Sequence, residues 1–192
     1  MKKLLSEIKQ CKICELHLDL EANPVVTGHK NSKIVIIGQA PGTKVHKSGI
    51  PWNDASGKKL RRWLNVSNDD FYDVENFAIV PMGFCYPGKG KSGDKPPRKE
   101  CAPKWHQQLF DLMPNLEMII LIGMYAQNYY LKDKAKKTLT ETVDNYPEYL
   151  PKYFTLPHPS PRNRFWFTKN PWFEKNVIPE LQKRVKEIII SA

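Results

Sequence analysis

The chain has 192 residues, of which 41% are hydrophobic, and this is long enough for one compact domain with its own core. Thirty Lys and Arg against twenty Asp and Glu give a formal charge of +10. That excess favours a polyanionic partner such as nucleic acid, although a host with a generally basic proteome would produce it too. No apolar run approaches the ~20 residues of a membrane span, and the N-terminus lacks the apolar core of a signal peptide. We therefore expect a cytoplasmic monomer without a membrane partner, folded as a single domain over residues 1–192.

The first part of the chain predicts a helix, a buried strand, a long loop and a second helix. Residues 2–9 have the pattern of a short amphipathic helix. Lys33–Ile37 is a β-branched run without a polar interruption, as expected of a central parallel strand covered on both faces. A polar loop, Gly38–Asp54, leads into Ser56–Leu64, where the apolar spacing is helical.

The middle of the chain again alternates predicted strands and helices. Ser67 to Asp70 caps a further turn or helix, and Phe77–Val80 supplies a second strand. Tyr86–Arg98, rich in Pro, Gly and Lys, is predicted to be a mobile basic loop. Apolar residues on one face then predict a helix over Glu100–Met113, and Glu117–Ile122 is the third strand.

The last part of the chain completes the pattern. A helix begins at Gly123-Met124 and reaches about residue 131, whereas residues 132–151 are charged, weakly periodic and left unassigned. Tyr153–Leu156 is the fourth strand and ends at the loop Pro157–Asn163. Asn176–Ile190 is predicted to be a C-terminal helix with a proline in its first turn. Strands that alternate with helices predict a three-layer α/β/α fold around a mainly parallel four-stranded sheet.

Polar loops follow the first and the last predicted strand, Gly38–Asp54 and Pro157–Asn163. In an open parallel sheet, loops at the carboxyl ends of strands can meet over one cleft. The two loops therefore form one candidate site.

The four cysteines form a pattern of their own. Cys11 and Cys14 are separated by two residues, Cys85 and Cys101 by fifteen. Two close thiols and two distant ones in a chain expected to be cytoplasmic suggest four ligands of a zinc ion or of an iron–sulfur cluster, and the spacing fits both almost equally. Four reduced thiols packed as small hydrophobes are the weaker alternative.

A metal group there would join the N-terminal segment to the predicted basic loop. It would order that loop and present its cations to phosphates, a structural role and not a redox one. The alternative is a solvated surface loop. The cations concerned are Lys89, Lys91, Lys95, Arg98 and Lys99.

Gly38-Gln39-Ala40-Pro41-Gly42 looks like the first motif of the uracil-DNA glycosylase superfamily, and His158-Pro159-Ser160-Pro161 looks like the second. The resemblance extends through Ser48–Trp52, Ala55–Gly57 and Leu121–Gly123 and so covers most of the chain. With the four cysteines added, the sequence resembles the family-four type that carries a [4Fe–4S] cluster. The resemblance favours the cluster over zinc.

The resemblance also implies roles for residues of both loops. His158 matches the histidine that donates toward uracil O2, and Trp52 falls where related enzymes stack an aromatic ring on the flipped base. Backbone amides of the first loop can approach that base closely, since glycine imposes no Cβ. The implied base-binding residues are Gly38, Gln39, Ala40, Gly42 and Trp52, and the implied DNA contacts are Ser160, Pro161, Arg162, Asn163, Lys89 and Lys91.

The sequence departs from the family pattern at the carboxylate. Cluster-bearing relatives have an acid directly after the first glycine, where this chain has Gln39. The nearest acid, Asp54, lies in a segment that resembles the Asp-x-Ser-Gly of a related branch, in which the aspartate assists catalysis. We expect Asp54 to be the catalytic carboxylate, with Asn53 and His46 as alternatives. Asp54 could equally be the N-cap of the helix that follows, and His46 an exposed loop residue.

A second departure concerns recognition of the base. The superfamily often places an asparagine at the end of the second strand, where this chain has Pro81. We therefore expect hypoxanthine and xanthine, in addition to uracil, as bases on which the protein acts. We expect a monofunctional DNA glycosylase of base excision repair, which releases a deaminated base from DNA. The main alternative is a weakly catalytic or non-catalytic protein that binds damaged nucleic acid. A more remote alternative is a nucleotide-dependent α/β enzyme with a phosphate loop at Gly38–Gly42, but this loop lacks both nucleotide-binding glycine motifs.

Overall fold

A computed structural model describes residues 1–190. The strands are β1 (Ile34–Ile37), β2 (Phe77–Ile79), β3 (Lys89–Gly90), β4 (Gly93–Asp94), β5 (Met118–Ile122) and β6 (Tyr153–Leu156). The main sheet has four strands in the order β2-β1-β5-β6, and every neighbouring pair is parallel. A separate antiparallel hairpin is formed by β3 and β4. The predicted fold class, a parallel four-stranded sheet between helices, is confirmed.

Helices cover both faces of the sheet. The α-helices are α1 (Lys2–Lys9), α2 (Thr43–Ser48), α3 (Ala55–Leu64), α4 (Asn68–Tyr72), α5 (Gln107–Asp111), α6 (Met124–Leu131), α7 (Leu139–Asp144), α8 (Arg164–Lys169) and α9 (Ile178–Ile190). Wider π-helical turns precede α5 and α9, over Ala102–His106 and Phe173–Val177. None of the helices within residues 1–190 is long and apolar enough to cross a membrane.

Two hydrophobic clusters form the core, one on each face of the sheet. Ile34 and Ile36 of β1 pack with residues of α3 and α9, whereas Val35 and Ile37 pack with residues of α1 and α5. All of β1 is buried because side chains alternate between faces that are both covered. Each fully buried aliphatic side chain stabilises the fold by roughly 1.5–3 kcal/mol. The carboxyl ends of the strands are thereby held in place for the loops that follow.

The structure differs from the elements predicted from the sequence in four segments. The loop Gly38–Asp54 contains a helix, α2, whose six residues are too few to show a helical period. The predicted mobile loop Tyr86–Arg98 contains the β3–β4 hairpin, whose two-residue strands are too short to give an alternating pattern. Helix α8 was not predicted, because none of its residues is buried and its apolar pattern is therefore uninformative. The unassigned residues 132–151 include α7, which a capping box begins at Thr138.

Candidate active site

The loops after β1 and β6 face one cavity of about 530 Å³. It lies at the carboxyl edge of the sheet, where parallel strands present their loops together. The cavity is also bordered by the β3–β4 hairpin and by the end of β2. The predicted site residues that line it are Gly38, Gln39, Ala40, Gly42, Trp52, Asp54, His158, Ser160, Pro161, Arg162 and Asn163.

The other predicted residues lie outside the lining of this cavity. Asn53 is exposed beside Trp52, and Lys89 and Lys91 are exposed on the hairpin. His46 is not an exposed loop residue: it belongs to α2 and is buried, and its Nδ1 atom has no hydrogen-bond partner within the described residues. Its ring faces Tyr86 instead, with 6.1 Å between the ring centroids.

The first loop is fixed by backbone hydrogen bonds to the segment after β2. The carbonyl of Gly38 accepts from the Met82 N–H at 2.9 Å, and the carbonyl of Gln39 accepts from the Gly83 N–H at 3.0 Å. Pro81, directly before Met82, lines the cavity, and its own carbonyl lies 3.1 Å from Nε2 of the buried His106. Burial lowers the pKa of His106 to about 4, so that this ring is neutral at pH 7.

Trp52 packs its indole directly against the first glycine of the loop. A Cβ at Gly38 would lie 2.8 Å from the Trp52 ring, so a larger residue there would have to displace the indole. The Trp52 backbone is left-handed, with φ of 56°, which costs about 1–3 kcal/mol and persists only when the surroundings enforce it. One constraint is Arg61, whose Nη1 donates to the Trp52 carbonyl at 3.3 Å. The half-buried ring thus forms a fixed aromatic wall of the cavity.

His158 stands next to this wall with a defined tautomer. Its ring centroid is 5.7 Å from that of Trp52, at an interplanar angle of 32°. The Ser160 N–H donates to Nδ1 at 3.2 Å, and Asn163 Nδ2 donates to the His158 carbonyl at 2.8 Å. A neutral imidazole that accepts at Nδ1 carries its proton on Nε2. Desolvation lowers the pKa of His158, and this outweighs the charges of Asp54 and Asp94, which raise it. His158 is therefore a neutral N–H donor at pH 7.

Asp54 caps α3. Its Oδ1 accepts from the Gly57 N–H at 2.8 Å, and its backbone is extended, as in an N-cap residue. The side chain also borders the cavity. The structural role considered for Asp54 is therefore present, together with the position that a catalytic role requires.

The capping role of Asp54 leads to a prediction about stability. Asp54→Ala should lower the free energy of unfolding by about 1 kcal/mol, since alanine cannot cap the helix, whereas Asp54→Asn should stay within ~0.5 kcal/mol because asparagine caps equally well. Denaturant titration followed by circular dichroism measures both. Equal stability of the alanine variant and the wild type would contradict the capping role.

Asp94 is a cavity residue that the sequence analysis missed. It ends the β3–β4 hairpin and lines the cavity together with residues of both loops. The Tyr86 hydroxyl donates to its Oδ1 at 3.4 Å, and its Oδ2 lies 3.7 Å from where a Cβ of residue 42 would stand. The composition of the segment predicted only a basic loop. The turn signal Lys91-Ser92-Gly93, with glycine at a φ of 147°, could have indicated the hairpin that brings this acid in.

The four cysteines line one small apolar pocket on the N-terminal side of the hairpin segment. They are reduced, and burial raises the pKa of Cys85 to about 11 and of Cys101 to about 12. Within residues 1–190 no group of three or more His, Cys, Asp or Glu side chains is arranged to hold a metal ion. The donor set nevertheless fits a thiolate-bound group, since Cys11, Cys14, Cys85 and Cys101 converge without a carboxylate or imidazole among the lining residues.

Comparison with known proteins gives concordant matches. A family model described as the uracil DNA glycosylase superfamily matches residues 25–182. The chain is 24% identical over 203 residues to the Type-4 uracil-DNA glycosylase of Sulfurisphaera tokodaii, an alignment that covers 100% of this chain and 86% of that protein. It is 27% identical over 164 residues to the Type-4 uracil-DNA glycosylase of Thermotoga maritima, covering 83% and 82%. The similarity therefore extends well beyond the two loop motifs.

Proposed function

Because the chain belongs to the uracil DNA glycosylase superfamily, as its loop motifs predicted, we propose that it hydrolyses the N-glycosidic bond of uracil or another deaminated base in DNA. The observation that carries this proposal is the pairing of His158 and Trp52. A neutral imidazole with its proton on Nε2 stands beside a fixed aromatic wall in one cavity. Such a site can stack an aromatic ring on the face of a flipped base and donate a hydrogen bond to its edge.

The proposed reaction proceeds by loss of the base. As the bond between C1′ and the base nitrogen breaks, negative charge develops on the base, and in the case of uracil His158 Nε2–H donates to the O2 atom. The Asp54 carboxylate favours the positive charge that develops on the sugar. Trp52 contacts the face of the base, and the backbone of Gly38, Ala40 and Gly42, with the side chain of Gln39, contacts its edge.

DNA would be held at the rim of the cavity. Ser160, Pro161, Arg162 and Asn163 form the turn after β6, and we propose that this turn contacts the strand that carries the damaged base. Lys89 and Lys91 on the hairpin are exposed, and we propose that they bind phosphates of the DNA backbone. Lysine suits this contact because its ammonium group is a point charge on a flexible side chain.

Base preference follows from Pro81. A proline at this position offers no side-chain donor or acceptor to the base, and its carbonyl already faces His106. A pocket that hydrogen-bonds a base edge can reject analogues strongly, and a pocket without that group cannot. We therefore propose activity on hypoxanthine or xanthine in addition to uracil.

The test uses three DNA duplexes that carry a single uracil, hypoxanthine or xanthine. Alkali-sensitive strand breaks after incubation with the protein are expected for at least one of them. Tight binding of the lesion without any break would favour the second candidate function, a non-catalytic binder of damaged nucleic acid. The absence of an acid after Gly38, where Gln39 stands, is the observation that motivates that candidate.

We further propose that Cys11, Cys14, Cys85 and Cys101 hold a [4Fe–4S] cluster, with zinc as the alternative. When bound, the group supplies a cross-link and not redox chemistry. Cys11 and Cys14 follow α1, whereas Cys85 and Cys101 flank the segment that carries the hairpin. A group bound by all four would therefore fix the hairpin relative to the N-terminal segment.

Anaerobically purified protein is expected to show a broad charge-transfer absorbance at about 400 nm, as sulfur-ligated iron does. Cys101→Ser should abolish this band and lower the melting temperature, because the cross-link is lost. Colourless wild-type protein with stoichiometric zinc would overturn the cluster assignment and leave the four-cysteine site in place. Colourless protein with neither metal would overturn both.

A further inference from the structure

Within residues 1–190, two carboxylates line this cavity, Asp54 and Asp94, and only Asp54 also caps a helix. Gln39 stands where an acid would follow the first glycine, so the first loop supplies only Asp54. One oxygen of Asp54 is occupied by the Gly57 N–H, which ties its carboxylate to the start of α3. A residue held in this way can contribute its charge to the cavity, but its orientation is set by the helix that it caps.

Asp94 lines the same cavity from the β3–β4 hairpin. Its Oδ1 accepts from Tyr86, a buried residue, and its Oδ2 points to the region beside Gly42. Unlike Asp54, it caps no helix. Its charge reaches the second loop, because Asp94 is one of the two carboxylates that act electrostatically on His158.

The hairpin that carries Asp94 contacts two other parts of the chain. At its base, Lys95 forms an ion pair with Asp19, which also accepts from the Lys89 N–H at 3.1 Å. At its tip, the Arg162 guanidinium approaches Gly93 so closely that a Cβ there would lie 2.5 Å from Nη1. The hairpin therefore lies beside the second loop, and Asp94 and His158 line the same cavity.

We propose that Asp94 is a further catalytic residue of this site, the carboxylate that orients and deprotonates the attacking water. The assignment rests on the proposed glycosylase function and supplies the group that Gln39 lacks. Asp54 then stabilises the charged sugar from the first loop, and Asp94 acts on water from the hairpin.

The chemistry balances without a co-reactant. The C1′–N bond breaks heterolytically, its electron pair leaves with the base as an anion, and C1′ becomes an oxocarbenium ion. The water oxygen forms a new bond to C1′, and one water proton passes to the Asp94 carboxylate. Asp94 then releases that proton to solvent, and the base anion takes up one proton. The net reaction consumes one water and yields the free base and an abasic sugar.

Two measurements on the full-length protein test the assignment. The first compares the rates of base release by wild type, Asp94→Asn and Asp69→Asn in single-turnover reactions. Asp69→Asn is the matched control, since it removes the same charge from the exposed start of α4, outside the cavity lining. We expect Asp94→Asn to lower the rate about 100-fold, in the range of general base catalysis, and Asp69→Asn to change it less than twofold.

The second measurement does not depend on turnover. Affinity is measured for duplexes that carry a cationic pyrrolidine or a neutral tetrahydrofuran in place of the abasic sugar. A carboxylate that holds water against C1′ also lies close to the cationic ring and favours it together with Asp54, so Asp94→Asn should reduce the wild-type preference for pyrrolidine about tenfold, and Asp69→Asn should retain it. Equal melting temperatures would show that both variants are folded.

The outcomes separate this inference from the function on which it rests. Base release by Asp94→Asn within twofold of wild type, or an unchanged preference for the cationic sugar, would overturn the role of Asp94 alone. Failure of the wild type to release any of the three bases would overturn the glycosylase function. In that case the pyrrolidine preference still decides whether Asp94 faces the sugar.

Discussion

Replacement of His158 by alanine is expected to slow base release about 10²–10³-fold, the usual effect of removing one donor from a developing anion. The reason is geometric. The Ser160 N–H occupies Nδ1 and leaves the Nε2 proton for the base, beside the ring of Trp52. Single-turnover assays on the preferred duplex measure the effect. His17→Ala is the matched control, because His17 is exposed and lies outside the cavity lining.

The same substitution should also change how the stability of the folded protein depends on pH. The pKa of His158 is lowered in the folded protein, so that below about pH 6.5 the unfolded chain binds more protons than the folded one. Stability contributed by the neutral ring is therefore present above this pH and is lost as the pH falls. The wild type should lose stability more steeply than His158→Ala on acidification. Identical pH profiles, or a rate within threefold of wild type, would contradict the role given to this histidine.

Gly57→Ala is expected to lower the free energy of unfolding by at least ~3 kcal/mol. Alanine ordinarily stabilises a helix relative to glycine by about 1 kcal/mol. Here, however, a Cβ at residue 57 would stand 1.7 Å from the Trp52 carbonyl oxygen, a backbone atom that cannot rotate away. Relief of that clash requires α3 to separate from the strained segment at Trp52, which forms the aromatic wall.

Gly90→Ala provides the comparison for Gly57→Ala. A Cβ at Gly90 would meet its nearest neighbour at 3.4 Å, an ordinary contact, and should cost less than ~1 kcal/mol. Chemical denaturation of both variants measures the difference. Activity of Gly57→Ala should fall together with its stability because the displaced Trp52 no longer borders the base. A stability equal to that of Gly90→Ala would show that the close approach of α3 to Trp52 is not a feature of the protein in solution.

The sequence predicted the sheet well because its strands are buried on both faces. Ile34–Ile37 and Met118–Ile122 are uninterrupted apolar runs, and such runs leave little choice of structure. The two loops at the carboxyl edge were placed correctly for the same reason, since a parallel sheet fixes where its loops meet. The convergence of Gly38, Trp52 and His158 on one cavity follows from that topology.

Features that depend on side-chain partners could not be predicted. Asp94 lies on a hairpin whose contacts come from residues distant along the chain, an ion pair with Asp19 and the nearby side chain of Arg162. The left-handed backbone of Trp52 is also set from outside, by the approach of Gly57 and by Arg61. His46 lies in a six-residue helix and is covered by Tyr86, a contact that no local pattern indicates.

The central claim is that this cavity breaks a glycosidic bond, and the most direct measurement of it is the amount of free base released from DNA. A duplex with one uracil is incubated with anaerobically purified protein, and free uracil and abasic sites are quantified in parallel. We predict the two products in equal amounts, with release more than 100-fold slower in His158→Ala. Retention of uracil, hypoxanthine and xanthine in intact DNA that the protein nevertheless binds would contradict the claim.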